Sequence, residues 1–322
     1  MIRILEDDPV TNAGTGSNLN LDGLVECDAS LMDGTTLGFG SVGAISDFKN
    51  PISVAAKILQ ESDQGALSLG RIPPIMLVGP GAAQWVETMD FPSSLSHSGL
   101  QRVPRQPSAD ALAIARELMS EETGAARKRD NEESEGTVDK ESIALEIDED
   151  QLQDTVGAIC IDSQGRVAAG VSSGGIAMKF PGRVSEAALF GAGCWAQDAT
   201  EDTDGFTCSL TGAGEQITKT LLARTCMETY LSHDDISEVS HQVLDRFMKS
   251  PLLKGYPDKH AGWIGAKVDR EDGCGRAEFV FAHTTQTMGV GFMSVQDTKP
   301  TTIMSKKTPE ATKVVSTRMV RL

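Results

Sequence analysis

The sequence predicts an α+β fold built in layers around sizeable sheets. Strand-like runs of small and β-branched residues occur in both halves of the 322-residue chain, and helical stretches with one apolar face alternate with them. A 39% apolar content is enough to bury a large core. No apolar run approaches the ~18 residues of a membrane span, so no membrane partner is expected. Met1-Ile2-Arg3-Ile4-Leu5-Glu6 is too short and charged for a signal peptide, so the expected location is nucleus or cytoplasm, not secreted.

In chain order, Asp7-Asp8-Pro9-Val10 runs at once into Thr11-Asn12-Ala13-Gly14-Thr15-Gly16-Ser17-Asn18, a glycine- and asparagine-rich loop with no element ahead of it to dock against. Leu19-Asn20-Leu21 and residues 24–29 flank Asp22-Gly23, the signature of a tight hairpin. Residues 41–45 read as a short strand. Asn50-Pro51 starts a helix, with Asn50 as cap, Val54, Ala55, Ile58 and Leu59 on one face, and Gly65 as its stop. Residues 75–78 read as a strand and 81–89 as a second helix. Ser108 caps a third, whose Ala111, Leu112, Ala115, Leu118 and Met119 form an apolar stripe.

The net charge of −17 is unevenly placed: residues 117–154 hold 14 acidic and 4 basic side chains, a net −10. Apolar content collapses here, and too little can be buried to offset chain entropy. Residues 120–154 therefore read as a disordered acidic connector between a first part, 1–119, and a second, 155–322. A connector this long inside a compact domain points to a role, such as being cut or holding a site shut. Arg127-Lys128-Arg129 is either a solvated linker patch or a nuclear-import signal. With no other basic cluster, nucleic-acid binding through phosphate neutralisation is not expected. The six cysteines, at 27, 160, 194, 208, 226 and 274, lack close metal-type spacing and lie mostly in apolar runs. They are expected to be buried free thiols, with no metal or other cofactor.

Order resumes at Asp154. Residues 154–162 and 166–173 alternate small and β-branched side chains around Ser163-Gln164-Gly165, and a hairpin centred near Gln164 sets Thr155 opposite Ser173. Directly opposed residues have Cβ atoms about 4.5 to 5.5 Å apart, so the two hydroxyls come within hydrogen-bond reach. Beyond Arg183, residues 186–190 read as helical and 191–196 as a small-residue run. Residues 206–210 form a strand ending in Thr211-Gly212-Ala213-Gly214, followed by a helix over 215–231 and another over 234–248. Residues 262–268, 277–282 and 287–294 read as strands, two of them paired across Thr284-Thr285-Gln286.

A threonine hydroxyl is a weak nucleophile unless it becomes a chain terminus, where its own α-amine, with a reference pKa of about 7.7 to 8.0, can take the proton. Cutting between Asp154 and Thr155 would achieve that. The bland reading is two residues that merely begin a strand; the connector before them, Gly157 and Ser173 favour the chemical one. Thr211 and Gly212, before a helix, offer donors for developing negative charge. Arg183, after Pro181-Gly182, would point outward and grip a carboxylate in bidentate fashion, or form a surface ion pair. A Ser-His-Asp triad has no Gly-x-Ser-x-Gly elbow to support it.

Asp154-Thr155-Val156-Gly157-Ala158, Val171-Ser172-Ser173-Gly174-Gly175, Lys179-Phe180-Pro181-Gly182-Arg183-Val184 and residues 191–196 resemble the signature of the N-terminal-nucleophile (Ntn) isoaspartyl peptidase and L-asparaginase family. Within it, the serine pair before Gly174, Gly193-Cys194-Trp195-Ala196, His283-Thr284-Thr285 and Met293-Ser294 are similar to the threonine aspartase (taspase) branch. So are Thr11-Asn12-Ala13-Gly14, Glu26-Cys27-Asp28-Ala29-Ser30, Met32-Asp33-Gly34, Lys49-Asn50-Pro51 and Gly70-Arg71-Ile72-Pro73-Pro74. The likeness covers the chain apart from the connector.

It implies a four-layer αββα sandwich, made as a precursor that cuts itself into α and β parts and self-associates as (αβ)2. Thr155 would be the nucleophile, Ser173 its hydroxyl neighbour, Thr211 and Gly212 the oxyanion donors, and Asn12 a positioning residue. Arg183, with Gly175, Gly214 and Glu186, would bind substrate. Glu186 stands where asparaginase relatives have an aspartate for the substrate amine, which favours a polypeptide. The expected activity is cleavage of proteins after aspartate. The alternatives are isoaspartyl dipeptidase or L-asparaginase activity, or an impaired pseudo-enzyme. The family's opening His-Ala-Gly-Ala-Gly strand and long first helix have no counterpart here, so an open groove is expected in the first sheet.

Overall fold

A computed structural model describes residues 1–89, 155–269 and 276–321. The helix expected after Ser108, the 120–154 connector, Arg127-Lys128-Arg129, Asp154 and Cys274 lie outside the described residues. Strands β1 (Cys27–Asp33), β2 (Phe39–Ile45), β3 (Met76–Val78), β4 (Val156–Ile161) and β5 (Val167–Ser173) form a five-stranded sheet in the order β3-β2-β1-β5-β4. A second five-stranded sheet, ordered β12-β9-β8-β7-β6, comprises β6 (Cys194–Gln197), β7 (Gly205–Gly212), β8 (Ala261–Val268), β9 (Arg276–His283) and β12 (Val314–Arg321). Strands β10 (Thr287–Phe292) and β11 (Thr301–Lys306) pair with each other.

The first sheet draws on both parts of the chain, because β1 pairs antiparallel with β5 and sets Asp28 opposite Ser173. Its strands are continuous neighbours, with β3 and β4 at the edges. The two sheets touch through β5 and β7, where Thr207 Oγ1 donates to the Ala168 carbonyl at 3.3 Å and Ser209 Oγ to the Gly170 carbonyl at 2.9 Å. Helix α2 (Pro51–Asp63) buries Val54, Ala55 and Ile58 against β1 and β2. Helices α5 (Leu222–Tyr230) and α6 (Ile236–Met248) close the other side with Tyr230, Leu244 and Phe247, over Phe206 and Trp263 of the second sheet. Burying each such side chain contributes roughly 1.5 to 3 kcal/mol.

Several expectations change. The loop at residues 11–18 does have an element before it: α1 (Ile2–Asp7), whose Leu5 carbonyl accepts from Thr11 Oγ1 at 2.6 Å. The hairpin over 19–29 is reduced to a single Leu19–Val25 bridge, because Asn20 Oδ1 takes the Asp22 and Leu24 N–H groups locally. Asn50 precedes α2 without capping it. Its Nδ2 goes to the Arg3 carbonyl and Asp7, and the buried Glu6 accepts the Ile52 N–H at 3.0 Å instead.

Residues 186–190 form only one 3-10 turn, Glu186–Ala188. The helix over 215–231 is two, α4 (Gly214–Thr220) and α5, broken at Leu221, whose φ is +44°. Between β1's neighbour α2 and β4, α3 (Gly79–Thr88) follows β3 as expected. No hairpin joins β9 to β10: β9 is already flanked by β8 and β12, leaving β10 to pair with β11. Cys160, on edge strand β4, is exposed, while Cys27, Cys194, Cys208 and Cys226 are buried free thiols. Among the described residues no helix is long and apolar enough to cross a membrane.

Candidate active site

The β4–β5 hairpin runs in the expected register, from Ile161 opposite Val167 to Val156 opposite Ser172. Asp162 fixes the turn: its N–H donates to the Arg166 carbonyl at 3.0 Å, and its carboxylate accepts from the N–H groups of Gln164 and Arg166. One step beyond the last pair, Thr155 Oγ1 and Ser173 Oγ lie 2.9 Å apart. Thr155 stands at the start of an edge strand, where a chain end can be accommodated without breaking a ladder.

Ser173 Oγ accepts the Gly175 N–H at 3.0 Å, which leaves its own proton free for Thr155 Oγ1. Gly175, at φ +65°, holds a backbone form that other residues rarely adopt. Asn12 reaches the pair through this loop. Its Nδ2 donates to the Gly175 carbonyl at 2.9 Å, and its own carbonyl accepts the Gly174 N–H at 2.8 Å. Asn18 adds a second bond to the Gly175 carbonyl at 2.8 Å, and its N–H is held by Asn12 Oδ1.

Thr211 and Gly212 end β7. Thr207 bonds Ala168 and Ser209 bonds Gly170, so the next step along the same face brings Thr211 level with Ser172 and its partner Val156. Thr211 Oγ1 is buried and without a hydrogen-bond partner among the described residues. Gly212 has φ +136°, and a side chain there would run into the His260 carbonyl. A buried hydroxyl with no partner costs about 1 to 3 kcal/mol, which a bound anion would recover.

Arg183 departs from expectation: its side chain is only 13% exposed and turns inward. Nε and Nη2 donate to Glu215 Oε1 at 2.8 and 2.6 Å, while Nη1 is buried and unpartnered among the described residues. The guanidinium fits because of two glycines. A Cβ on Gly175 would come within 2.7 Å of Nη1, and one on Gly214 within 2.9 Å of Nη2 and 2.5 Å of Glu186 Oε2. Gly175 thus joins the hydroxyl pair to the guanidinium.

Glu186 is buried beside it, with Oε1 unpartnered among the described residues, and burial pushes its carboxyl up to about 7 despite Arg183. Sequence reading missed three members of this neighbourhood: Glu215, the buried Lys179, and Glu6, whose carboxylate accepts from Ser172 Oγ at 2.6 Å. Lys179 at least lies inside the recognised Lys-Phe-Pro-Gly-Arg run; the other two carry no local signal.

Burial also pushes Glu6 up to about 7. Between pH 4.5 and about 7 the folded chain keeps protons on Glu6 and Glu186 that the unfolded chain releases, so their contribution to stability is lost as pH rises through that window. His283, lowered by burial from its ordinary value, acts the other way. Glu186→Gln should remove one carboxyl's share, on the order of 3 kcal/mol for a shift of this size. The drop in melting temperature from pH 5 to pH 8 is expected to be smaller in the variant. An unchanged drop would place the Glu186 proton elsewhere.

Residues 1–256 match a sequence family described as Asparaginase. The chain is 36% identical over 292 residues to a plant-type L-asparaginase of Pyrococcus abyssi, covering 91% of this chain and 80% of that protein. It is 34% identical to an isoaspartyl peptidase of Escherichia coli, covering 69% of this chain and 58% of the relative. An isoaspartyl peptidase/L-asparaginase of Mus musculus is 32% identical, covering 78% and 64%. The chain thus spans less than two thirds of the length of the latter two.

Proposed function

This chain belongs to the asparaginase family of Ntn hydrolases, and on that premise we propose that it cuts itself before Thr155 and then hydrolyses amides of isoaspartyl and asparagine type. The observation that carries the reading is the Thr155–Ser173 hydroxyl contact at the head of an edge strand, one loop away from Arg183 Nη1, which is buried with no partner among the described residues. In self-cleavage, Thr155 Oγ1 adds to the Asp154 carbonyl, the C–N bond breaks as nitrogen takes the proton and becomes the free α-amine, and water hydrolyses the resulting ester to release the Asp154 carboxylate and the Oγ1 hydroxyl. In turnover, that amine accepts the Oγ1 proton as Oγ1 attacks the substrate carbonyl. Negative charge develops on the substrate oxygen, for which Thr211 Oγ1 and the Gly212 N–H are the nearby donors. The leaving amine takes the proton back, and water then hydrolyses the acyl-threonine.

Arg183 meets the carboxylate of the substrate, with Gly175, Gly214 and Glu186 as the walls of that subsite. The two flanking helical layers and facing sheets are read as the four-layer αββα arrangement. After the cut, the β1–β5 ladder keeps the α and β parts together, and these pairs are read as assembling into (αβ)2.

A second reading, cleavage of proteins after aspartate, is supported by Glu186. Held near neutrality by burial, it is a poor partner for the free ammonium of an amino acid or dipeptide, and a polypeptide brings none there. The taspase-like motifs favour the same reading. Release of ammonia from L-asparagine or of free aspartate from a β-aspartyl dipeptide supports the first activity. Cleavage only of an internal aspartyl peptide, with both small substrates untouched, overturns it in favour of the second.

A further inference from the structure

Lys179 is 2% exposed, and its Nζ donates to the Glu26 carbonyl at 2.6 Å and the Gly174 carbonyl at 2.9 Å. Burying an ammonium is costly unless charge and hydrogen bonds compensate it. Here burial lowers the Lys179 pKa, the charges facing it being those of Asp28 and Glu26, the Cys27 thiol, and the opposing Arg183. Asp28 is itself committed: it accepts the Ala44 N–H at 2.8 Å and both the Ser185 N–H and hydroxyl at 2.7 Å. The lysine is therefore held in a polar network that ties the loop after Ser173 to the first part of the chain. Neighbouring backbone bonds, from Met178 N to the Leu19 carbonyl and from Leu21 N to the Lys179 carbonyl, fix its own position at 2.8 and 2.9 Å.

The Gly174 carbonyl and the Gly175 N–H belong to one planar trans peptide and point in opposite directions. A cation holding that carbonyl on one side therefore aims the N–H at the other, where it meets Ser173 Oγ at 3.0 Å. Between two glycines, rotation of that plane meets little steric resistance, so some outside group must fix it. A flipped plane would present the carbonyl to Ser173, whose proton would then go to that oxygen and not to Thr155 Oγ1.

We infer that Lys179 is a positioning residue, locking the Gly174–Gly175 peptide so that Ser173 offers its proton to Thr155. The inference rests on Thr155 being the nucleophile. It requires Lys179 to act on the chemical step and not on substrate capture, because Arg183 and Thr211 are untouched.

The test measures the self-cleavage rate of freshly made chain and the kinetics of β-aspartyl dipeptide hydrolysis. The variants are Lys179→Met, Lys179→Gln and, as a control, Thr155→Ala. Small displacements of reacting groups cost about 10²-fold, so Lys179→Met should slow self-cleavage and lower kcat by about 10- to 100-fold, with KM within about twofold. Lys179→Gln, which keeps an uncharged NH2 donor, should recover part of that rate. A folded Lys179→Met with wild-type self-cleavage, or equal losses in kcat and affinity, overturns the inference. Should Lys179→Met fail to fold, wild-type rates in Lys179→Gln overturn it equally. Self-cleavage persisting in Thr155→Ala would instead overturn the nucleophile assignment.

Discussion

Thr155→Ala should leave the chain as one uncut 322-residue polypeptide and remove amide hydrolysis, whereas the wild type should separate on a denaturing gel into residues 1–154 and 155–322. The expected loss in kcat is at least about 10⁴-fold, the scale seen when a covalent nucleophile is removed and only binding and oxyanion donors remain. The alanine leaves β4 and its ladder to β5 intact, so the melting temperature should stay within a few degrees of wild type. What disappears is the oxygen 2.9 Å from Ser173. N-terminal sequencing of the larger wild-type product should begin at Thr155. A product beginning elsewhere, or a cut in the alanine variant, would remove the chemistry proposed for this hairpin.

Arg183→Ala should cost about 10²- to 10³-fold in kcat/KM for a substrate that carries a carboxylate beside the scissile amide. That is the scale for removing one partner of a buried, hydrogen-bonded charge pair. The loss should fall mainly on KM, since the guanidinium is separated from the hydroxyl pair by the Gly174–Gly175 loop. Self-cleavage should persist. Arg183→Lys restores a charge but not the fork that bonds Glu215 through Nε and Nη2, so it should recover only part of the affinity. An alanine variant with wild-type kcat/KM would show that the buried Nη1 serves packing around Gly175 and not a substrate.

The hairpin was fully legible because its information is local. Side chains alternate with a period of two, and the turn at Ser163-Gln164-Gly165 sets the register, so Thr155 and Ser173 follow from counting. The small glycine-rich motifs around Gly175 and Gly212 were legible for a similar reason, since positive φ and close approach leave a residue-type signature. Both weaker strands near the C-terminus, β11 and β12, went unread. The run Thr301-Thr302-Ile303-Met304-Ser305-Lys306 has no clear alternation, and its strand character comes from pairing with β10.

By itself, then, the sequence determined the family, the α+β class and the pairing of two hydroxyls at one end of a hairpin, all products of short-range pattern. Tertiary structure alone decided which way Arg183 turns, since its partner Glu215 lies 32 positions away. It also decided that α2 is capped by Glu6 across 46 positions, and that the same carboxylate takes Ser172 across 166. Lys179 is a surface residue by type and becomes a buried clamp because the first part of the chain folds over it at Glu26. Burial and partner choice at such distances depend on how the layers pack, and no local pattern encodes that.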